Sequence, residues 1–446
     1  MEGKRLLKVI VPITLILVLG LTSGLMSGCM PKPPEEVAPP VAPPEEVAPP
    51  EEVAPPEALM PIKVGVMYPM SGAYAADGLE MIQPATLAVE DINAAGGLCG
   101  RRLEIVGADN KEMSPEDVAT AAEILIGAGV DVVVCNYGGE PADILIYGKY
   151  DVPYINWNDS RTAQAAILDN LPETSNCYKL PPNGSALGPD PFKVLTEILP
   201  EDWGYEHPNK KLALLTMDED WAKDISIDVR IVVEESDWEI VVDIFHPYGN
   251  TEYGTQLVKI REEDPAIIFF SSYAPAEAIS FLNQFQQDPT DSLVFVTWLP
   301  CTPGFVEAAG ADAEGLLWGS QEALYGTPVQ EEYRTKFKAR FGREPGSSNV
   351  YDVVTCWAAA VENSGCDPSD YDAVLKALVD YDFDGLLGTY DISEETHYGR
   401  SGADYIAHRT YQIQGGLHKI LYLGEAPYVG TGDYYGEFEV PSWIGN

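Results

Sequence analysis

The chain has 446 residues and carries 70 acidic against 27 basic side chains, which gives a formal net charge of −43 at pH 7. This balance excludes a nucleic-acid partner, because a phosphate backbone is bound by Lys and Arg side chains that are scarce here. The roughly 385 residues after position 61 exceed what one hydrophobic core ordinarily holds and are a natural length for two α/β lobes.

The first 28 residues have the pattern of a secretory signal peptide. Three basic side chains among the first eight residues precede an uncharged apolar stretch at 9–21, and Ser-Gly-Cys follows at 27–29. A cysteine in this position is typical of lipoprotein signals, so we predict lipid attachment at Cys29. A plain membrane anchor is the alternative, but the apolar stretch is shorter than the ~20 residues that a membrane span requires.

Residues 29–61 form a Pro/Glu-rich tether. The sequence PPEEVAPP occurs three times, beginning at Pro33, Pro43 and Pro49. So many prolines favour extended polyproline II, and the glutamate pairs keep the segment solvated. At about 3.1 Å per residue, the tether can reach up to roughly 100 Å from its anchor. A Pro-rich motif for a partner protein is the alternative interpretation.

Residues 62–111 have the pattern of one βαβ unit. An apolar run at 62–67 predicts a strand buried on both faces, and apolar residues at three- and four-residue spacing predict a helix that ends at Gly96-Gly97. A second strand is predicted at 102–108, and Asp109 follows its carboxyl end. Ligands of parallel sheets bind outside the carboxyl ends of the strands, so we expect a site at this end of the unit.

Strand-like and helix-like segments alternate over the rest of the chain. We predict strands at 130–135, 152–156, 212–216, 240–245, 266–270, 293–297 and 316–318. Helices are predicted at 115–126, 186–198, 276–285 and 331–341, and Ser369-Asp370 is predicted to cap a helix that runs to 379. This alternation favours the α/β fold class, with parallel sheets and crossover helices.

Six cysteines remain beyond Cys29, an even number that permits disulfides in an exported chain. Cys356 and Cys366 flank the end of an apolar helical stretch and are our candidates for a local bridge. No two of the six form a C-x-x-C pair, so the sequence gives no support for a metal site, and we expect no cofactor.

The residues just past the predicted strand ends combine small hydrogen-bonding groups with recurring aromatic rings. They are Ser71, Tyr74, Asp109, Tyr137, Gly138, Gly139, Asn158, Asp159, Ser160, Asp218, Trp221, Tyr273 and Trp298. A single aromatic residue is more often part of core or loop packing. Several of them at successive strand ends favour a ligand pocket, which typically has apolar walls and few polar groups.

Three stretches carry a resemblance to a known family. The run MSGAYAADG at 70–78, the DIN-x-x-GG-x-x-G stretch at 91–100 and the acid after the next strand resemble the amino-terminal signature of periplasmic Leu/Ile/Val-type (branched-chain amino acid) binding proteins, in their lipoprotein form. Weaker motifs extend the resemblance to about Tyr422.

The resemblance implies the type I periplasmic binding protein fold, in which two parallel-sheet lobes are joined by three crossovers. The chain is expected to cross between lobes near Leu180, Glu322 and Gly388. Lobe 1 then comprises 62–180 and 323–388, and lobe 2 comprises 181–322 and 389–446.

The resemblance also implies roles for particular residues. In the family, hydroxyl and backbone N–H groups of the first lobe hold a ligand carboxylate, and the matching positions here are Ser160 and Gly138. Trp221 and Tyr273 match aromatic positions of the second lobe. Asp77 occupies a place where the family can carry a tyrosine.

One position departs from the family pattern. The amino-acid binders carry an acid after the strand that is predicted to end at Thr297, where it pairs with the ligand ammonium, but this chain has Trp-Leu-Pro at 298–300. A buried cation without a partner is unfavourable. Either Asp159, Asp218 or Asp109 replaces the missing acid, or the aromatic rings face a methylated ammonium. An uncharged amide or an aromatic acid is equally open.

The motifs of common enzyme classes are missing from the sequence. It contains no P-loop, no nucleotide-type G-x-G-x-x-G, no H-E-x-x-H helix and no G-x-S-x-G elbow, so we expect no enzyme. We predict an extracytoplasmic, monomeric lipoprotein, membrane-anchored through Cys29, that closes two lobes around a small polar or amphipathic ligand.

The candidate ligand classes are an amino acid or a related amide, amine or carboxylate. The resemblance implies that this small-molecule ligand passes to an ABC transporter permease. Two alternatives remain: a lipoprotein that senses its ligand and presents it to a membrane receptor and, with less support, an exported hydrolase.

Overall fold

The computed structural model describes residues 60–72, 74–184, 187–428 and 433–445, which belong to one compact unit that starts at Met60. The predicted signal peptide and Cys29 lie outside the described residues, as does the tether up to residue 59. None of the helices in the described ranges combines the length and the apolar character that crossing a bilayer requires.

The nine strands predicted from the sequence all occur, with ends that differ by at most two residues. In chain order the strands are β1 (Ile62–Tyr68), β2 (Leu103–Asp109), β3 (Val132–Cys135), β4 (Tyr154–Asn156), β5 (Cys177–Pro182), β6 (Lys211–Met217), β7 (Glu239–His246), β8 (Ile267–Ser271), β9 (Leu293–Thr297), β10 (Leu317–Ser320), β11 (Phe383–Asp384), β12 (Thr389–Tyr390), β13 (Tyr398–Gly399), β14 (Arg409–Gln414), β15 (Leu417–Leu423) and β16 (Ala426–Pro427).

The helices connect these strands. They are α1 (Ala75–Ala94), α2 (Pro115–Gly127), α3 (Ala142–Tyr147), α4 (Arg161–Leu168), α5 (Pro189–Lys193), α6 (Leu199–Trp203), α7 (Asp220–Glu234), α8 (Gly254–Glu263), α9 (Pro275–Phe285), α10 (Phe305–Ala309), α11 (Pro328–Phe341), α12 (Asn349–Asn363) and α13 (Tyr371–Asp380). A π-helical turn at Val194–Ile198 joins α5 to α6, so the helix predicted at 186–198 is interrupted.

Local sequence signals set several helix ends. Ser114 caps α2 by accepting the Asp117 N–H, and Asp370 caps α13, as predicted. At α11, Thr327 and Gln330 form a reciprocal capping box. These caps fix the residue at which each helix begins.

The first sheet is wholly parallel, in the order β13-β5-β4-β3-β1-β2. Every residue of β3 and β4 is buried, as expected for strands covered by helices on both faces. The edge strand β13 comes from the segment that the sequence analysis assigns to lobe 2.

The second sheet has the order β16-β15-β14-β10-β9-β8-β6-β7. Its strands from β7 to β10 are parallel, whereas β14, β15 and β16 extend it in antiparallel pairs. The sequence analysis missed this extension, although Gly415-Gly416, both at positive φ, make the two-residue turn that joins β14 to β15. The two sheets and their helices confirm the predicted α/β class.

The core of the first sheet is assembled from distant parts of the chain. Buried residues of β1 and β3 pack with Tyr333 of α11, Val353 of α12 and Val374 of α13. The opposite face of this sheet has its own core, which includes Val118 of α2. The second sheet is likewise covered by a core on each face.

The local disulfide predicted between Cys356 and Cys366 is wrong. Cys366 is bonded to Cys99, which lies 267 residues earlier in the chain. Cys356 is buried in α12 as part of the first core, whereas Cys366 lies beyond the end of that helix at Asn363. The thiol of Cys356 therefore faces the core rather than the helix end that the prediction required.

Candidate ligand-binding cleft

A cavity of about 560 Å³ lies at the carboxyl ends of strands from both sheets. Its lining residues come after β1 to β4 of the first sheet and after β6, β8, β9 and β10 of the second sheet in the sequence. The lining residues are Tyr74, Asp77, Glu112, Met113, Asn136, Tyr137, Gly139, Glu140, Trp157, Asn158, Asp159, Glu219, Asp220, Trp221, Tyr273, Trp298 and Glu322. Both the volume and the position are those of a small-molecule site in parallel α/β proteins.

Most of the residues predicted from strand ends and family resemblance meet in this cavity. Those that line it are Tyr74, Asp77, Tyr137, Gly139, Asn158, Asp159, Trp221, Tyr273 and Trp298. Five others do not line it, namely Ser71, Asp109, Gly138, Ser160 and Asp218. A direct ligand contact by any of these residues stays a prediction.

The polar side chains outside the lining have partners of their own. Ser71 Oγ donates to Asp109 Oδ2 at 2.8 Å, and Asp218 pairs with a lysine of α7 at 2.8 Å. Ser160 Oγ accepts the N–H of Ala163 at 3.1 Å and so caps α4. In this arrangement each of the three side chains stabilises a loop or a helix end.

Gly138 lies in a tightly packed part of the loop after β3, where the surrounding atoms leave no space for a side chain. A Cβ atom there would lie 2.6 Å from Met67 Cε, 2.7 Å from the Tyr154 hydroxyl and 2.8 Å from Asp143 Oδ2. Any side chain would push the loop after β3 away from the sheet. Glycine therefore keeps this loop, and with it Tyr137 and Gly139, against the strand ends.

The sequence analysis missed eight lining residues. They are Glu112, Met113, Asn136, Glu140, Trp157, Glu219, Asp220 and Glu322. All eight lie within five residues of a strand end, so following each loop further would have found them. Glu322 was named only as a crossing point between lobes.

Glu322 places an acid beside Trp298, although the sequence has none directly after β9. Its carboxylate accepts the indole N–H of Trp157 at 2.7 Å and that of Trp298 at 3.0 Å. Burial raises the pKa of Glu322, while Asn349 and the two indoles favour its charged form. Because Trp157 follows β4 and Trp298 follows β9, this side chain links the strand ends of both sheets.

Asp159 is the second buried acid of the cleft with a tryptophan partner. The indole N–H of Trp221 donates to Asp159 Oδ1 at 3.1 Å. Burial raises the pKa of Asp159 to about 7, and the negative charge of Glu322 adds to the shift. The ring of Trp221 meets Tyr273 edge to face at 6.3 Å, so an aromatic pair of the second sheet stands beside a carboxylate of the first.

Glu140 belongs to a buried charge cluster at the end of β3. Lys179 Nζ, which is fully buried, lies 3.4 Å from Glu140 Oε1. Nearby, the Tyr154 hydroxyl donates to Asp143 Oδ2 at 2.6 Å. Burial raises the pKa of Glu140 to about 7, Asp143 adds to the shift and Lys179 opposes it. Burial and Asp143 therefore favour the neutral form of Glu140, whereas Lys179 favours its charged form.

The cavity wall as a whole is acidic and aromatic. Seven of its seventeen residues are Asp or Glu and six are Trp or Tyr, whereas none of the seventeen is Lys, Arg or His. Within the wall, the Tyr137 hydroxyl donates to Asp77 Oδ2 at 2.6 Å. The cleft thus combines ring faces with carboxylate oxygens.

Comparisons with known proteins match both the chain and the fold. The family described as periplasmic binding protein matches residues 61–405. The leucine-, isoleucine-, valine-, threonine- and alanine-binding protein of Pseudomonas aeruginosa is 26% identical over 345 residues, which cover 75% of this chain and 86% of the relative.

Two solved structures share the fold. The ABC transporter substrate-binding protein from Sphaerobacter thermophilus is 21% identical with a TM-score of 0.68, and the match covers 81% of this chain and 96% of that one. The ABC transporter solute binding protein of R. palustris in complex with benzoate is 19% identical with a TM-score of 0.65, covering 83% and 98%. The resemblance read from the sequence is confirmed: the chain belongs to the periplasmic binding protein family and has its type I fold.

Proposed function

We propose that this protein is a lipid-anchored, extracytoplasmic solute-binding protein that delivers a small ligand to an ABC transporter permease. The observation that carries the proposal is a cavity of about 560 Å³ with walls from the strand ends of two separate sheets. A ligand that contacts both walls binds a closed arrangement better than an open one, so closure reports that the site is occupied.

The two walls correspond to two lobes, which we assign to 62–180 with 323–388 and to 181–322 with 389–446. Lining residues up to Asp159 fall in the first lobe, and those from Glu219 to Glu322 fall in the second. The first core supports the limits near 180 and 323, because it draws on residues up to Leu180 and then again from Leu324 onwards. It also contains Tyr390, Ile392 and Ile406, which lie beyond the limit at 388.

The relatives support the ligand class and the partner. The Pseudomonas protein is named for five amino acids, and the R. palustris structure contains benzoate. We propose a small polar or amphipathic amino acid, amide, amine or carboxylate as the ligand here. Both structural neighbours are components of ABC transporters, which supports a permease as the partner. The protein acts as a monomer, without catalysis.

Ligand capture is tested with thermal shifts and tryptophan fluorescence, because a ligand stabilises the state that binds it and three tryptophans line the cleft. At least one member of a panel of amino acids, amines, amides and aromatic acids should raise Tm and change the emission. Trp221→Phe should reduce the emission change, whereas Trp238→Phe, which does not line the cavity, should keep it. Chemical conversion of the bound compound, detected by mass spectrometry, would contradict a pure binding role.

The anchor is tested by cell fractionation. Cys29→Ser should move the protein from the membrane fraction to the aqueous fraction, whereas Pro33→Ser in the tether should leave it with the membrane. Metabolic labelling with a radioactive fatty acid should mark the wild type only. Continued membrane association of the Cys29→Ser variant would contradict lipid anchoring.

A further inference from the structure

Four hydrogen-bond donors of the cleft wall are engaged with protein carboxylates. All three tryptophans of the wall donate their indole N–H groups in this way, two of them to Glu322 and one to Asp159. The Tyr137 hydroxyl does the same towards Asp77. An ionised carboxylate accepts hydrogen bonds and donates none. These four donors are therefore already engaged, and the wall presents acceptor oxygens and ring faces to a ligand beside the side chains of Tyr74, Asn136, Asn158 and Tyr273.

The charged side chains of the wall all have the same sign. Seven of its seventeen residues are acidic and none is basic. Two lysines outside the lining are paired already: Lys179 Nζ lies 3.4 Å from Glu140, and Lys223 Nζ lies 2.8 Å from Asp218 and 3.8 Å from Asp220. A ligand carboxylate would add another negative charge among partly buried acids, whereas a cation would offset their repulsion.

Asp159 and Glu322 are the acids with the clearest need for a positive partner. Their hydrogen-bond partners among the described residues are neutral indole and amide groups. Burial raises the pKa of both carboxyls, and the negative charge of Glu322 adds to the shift at Asp159. A bound cation would favour the ionised form of both acids at once.

A second cavity, of about 20 Å³, adjoins this pair of acids. It shares four residues with the larger cavity, namely Asp159, Trp221, Trp298 and Glu322. Its lining also includes Thr297 and Gln321, which are 3% and 2% exposed. Thr297 Oγ1 and Gln321 Nε2 have no hydrogen-bond partner among the described residues. Buried polar atoms are ordinarily paired, so these two are open to a bound group.

We propose that the ligand of this cleft is an organic ammonium cation, held by the carboxylates of Asp159 and Glu322 with the tryptophan rings around it. This inference rests on the proposed solute-binding role and specifies its ligand. A primary amine would donate N–H groups to both carboxylates in short charge-assisted hydrogen bonds. A quaternary ammonium would instead contact the ring faces, within about 6 Å of a ring centroid.

Isothermal titration calorimetry on the full protein in non-ionic detergent tests the inference. The probes are putrescine, choline, leucine, acetamide and benzoate, which separate a primary amine and a quaternary ammonium from zwitterionic, neutral and anionic compounds. We expect putrescine or choline to bind at least about tenfold more tightly than leucine, and benzoate to give no heat of binding. The cation that binds more tightly shows whether the site prefers a primary amine or a quaternary ammonium.

The results distinguish failure of the ammonium-ligand inference from failure of the proposed solute-binding role. If leucine, acetamide or benzoate binds and neither cation does, the cation inference is overturned and solute capture stands. If no probe of any charge binds or raises Tm, both are overturned. Binding of a cation that is unaffected by the variants below would overturn the assignment to Asp159 and Glu322.

Two near-isosteric variants locate the cation. Glu322→Gln and Asp159→Asn should each weaken the better cation by about tenfold or more, because each removes a buried charge that the ligand would pair with. Two variants are used so that a folding defect in one does not decide the result, and circular dichroism checks both. Glu239→Gln, at the exposed amino end of β7, is the matched control and should leave the affinity within about twofold.

Discussion

The indole nitrogen of Trp157 donates a hydrogen bond to Glu322 Oε1 at 2.7 Å, across a sequence separation of 165 residues. The bond joins the end of β4 in the first sheet to the end of β10 in the second. A hydrogen bond to a carboxylate is stronger than one between neutral groups, and low exposure to water strengthens it further. The two walls of the cleft are therefore coupled through one acid.

A double-mutant cycle measures this coupling. We expect Trp157→Phe and Glu322→Gln to be coupled by ~1–3 kcal/mol in the free energy of unfolding, because the bond is made to a buried charged group. Urea denaturation of the four proteins at one pH supplies the values. A control cycle of Trp238→Phe with Glu322→Gln should be additive within about 0.5 kcal/mol, since Trp238 lies in a different core. Additivity in the first cycle would contradict an energetic role for the bond.

Asp159→Asn should stabilise the ligand-free protein more at pH 8 than at pH 5. The pKa of Asp159 is about 7 in the folded protein, against ~4 in an unfolded chain. The folded state therefore binds this proton more tightly, and the carboxyl becomes progressively destabilising as the pH rises from about 4 to about 7. The difference in Tm between variant and wild type at each pH is the measurement, with exposed Asp404→Asn as the control. An equal shift at both pH values would contradict the raised pKa.

Removal of the Cys99–Cys366 disulfide should destabilise the fold. The bond closes a loop spanning 267 residues, and Cys99→Ser with Cys366→Ser is expected to lower the free energy of unfolding by about 2–4 kcal/mol. Guanidinium denaturation with and without a reducing agent measures the effect. The reductant should destabilise the wild type and leave the double variant unchanged. A wild type that is insensitive to full reduction would refute the prediction.

Ser160→Ala separates a helix cap from a ligand contact. The Ser160 hydroxyl accepts the Ala163 N–H at the start of α4 and does not line the cavity. We expect a loss of about 1 kcal/mol in unfolding free energy, with ligand affinity changed less than about twofold. Ser160→Asn, another good cap, should restore most of the stability. A tenfold loss of affinity in the alanine variant would instead support the carboxylate-binding role implied by the family.

Gly138→Ala should destabilise the protein and weaken ligand binding. The new Cβ would stand within 3 Å of atoms of Met67, Tyr154 and Asp143, so the loop that carries Tyr137 has to shift. Gly127→Ala is the matched control, because no atom lies within 4 Å of its Cβ position at the end of α2 and alanine is the better helix former. Thermal melts and probe titrations of both variants give the comparison. A fully wild-type Gly138→Ala protein would show that the loop has room to relax.

The central strands of both sheets could be predicted because each is buried on both faces and reads as an apolar run. Val132–Cys135 and Leu293–Thr297 are wholly buried and were found to within two residues. The hairpin of β14 and β15 was missed although its Gly-Gly turn is visible, because β15 alternates between polar and apolar residues only in part. β14, in contrast, is buried throughout although four of its six residues are Arg, Thr or Gln, so an apolar run identifies a buried strand only where the buried side chains are apolar.

The aromatic residues of the site were predictable, and the contacts of its key acid were not. Trp221, Tyr273 and Trp298 follow recognised strands closely, so their position in the cleft follows from the direction of parallel strands. Glu322 meets Trp157 only because two sheets come together, and no local pattern encodes that meeting. The same holds for Cys99 and Cys366, whose distance in the sequence hides their contact.

The order in which the residues of the first core are synthesised determines when that core can form. It contains residues of β1 near the amino end, but it is completed only by α12, α13 and residues as late as Ile406. Domains ordinarily fold as units once their chain is available, and 20 of the 36 buried residues of this core lie at 324–406, in the last part of the chain to leave the ribosome. A nascent chain of this design therefore cannot complete its first core until residues near 406 have been made.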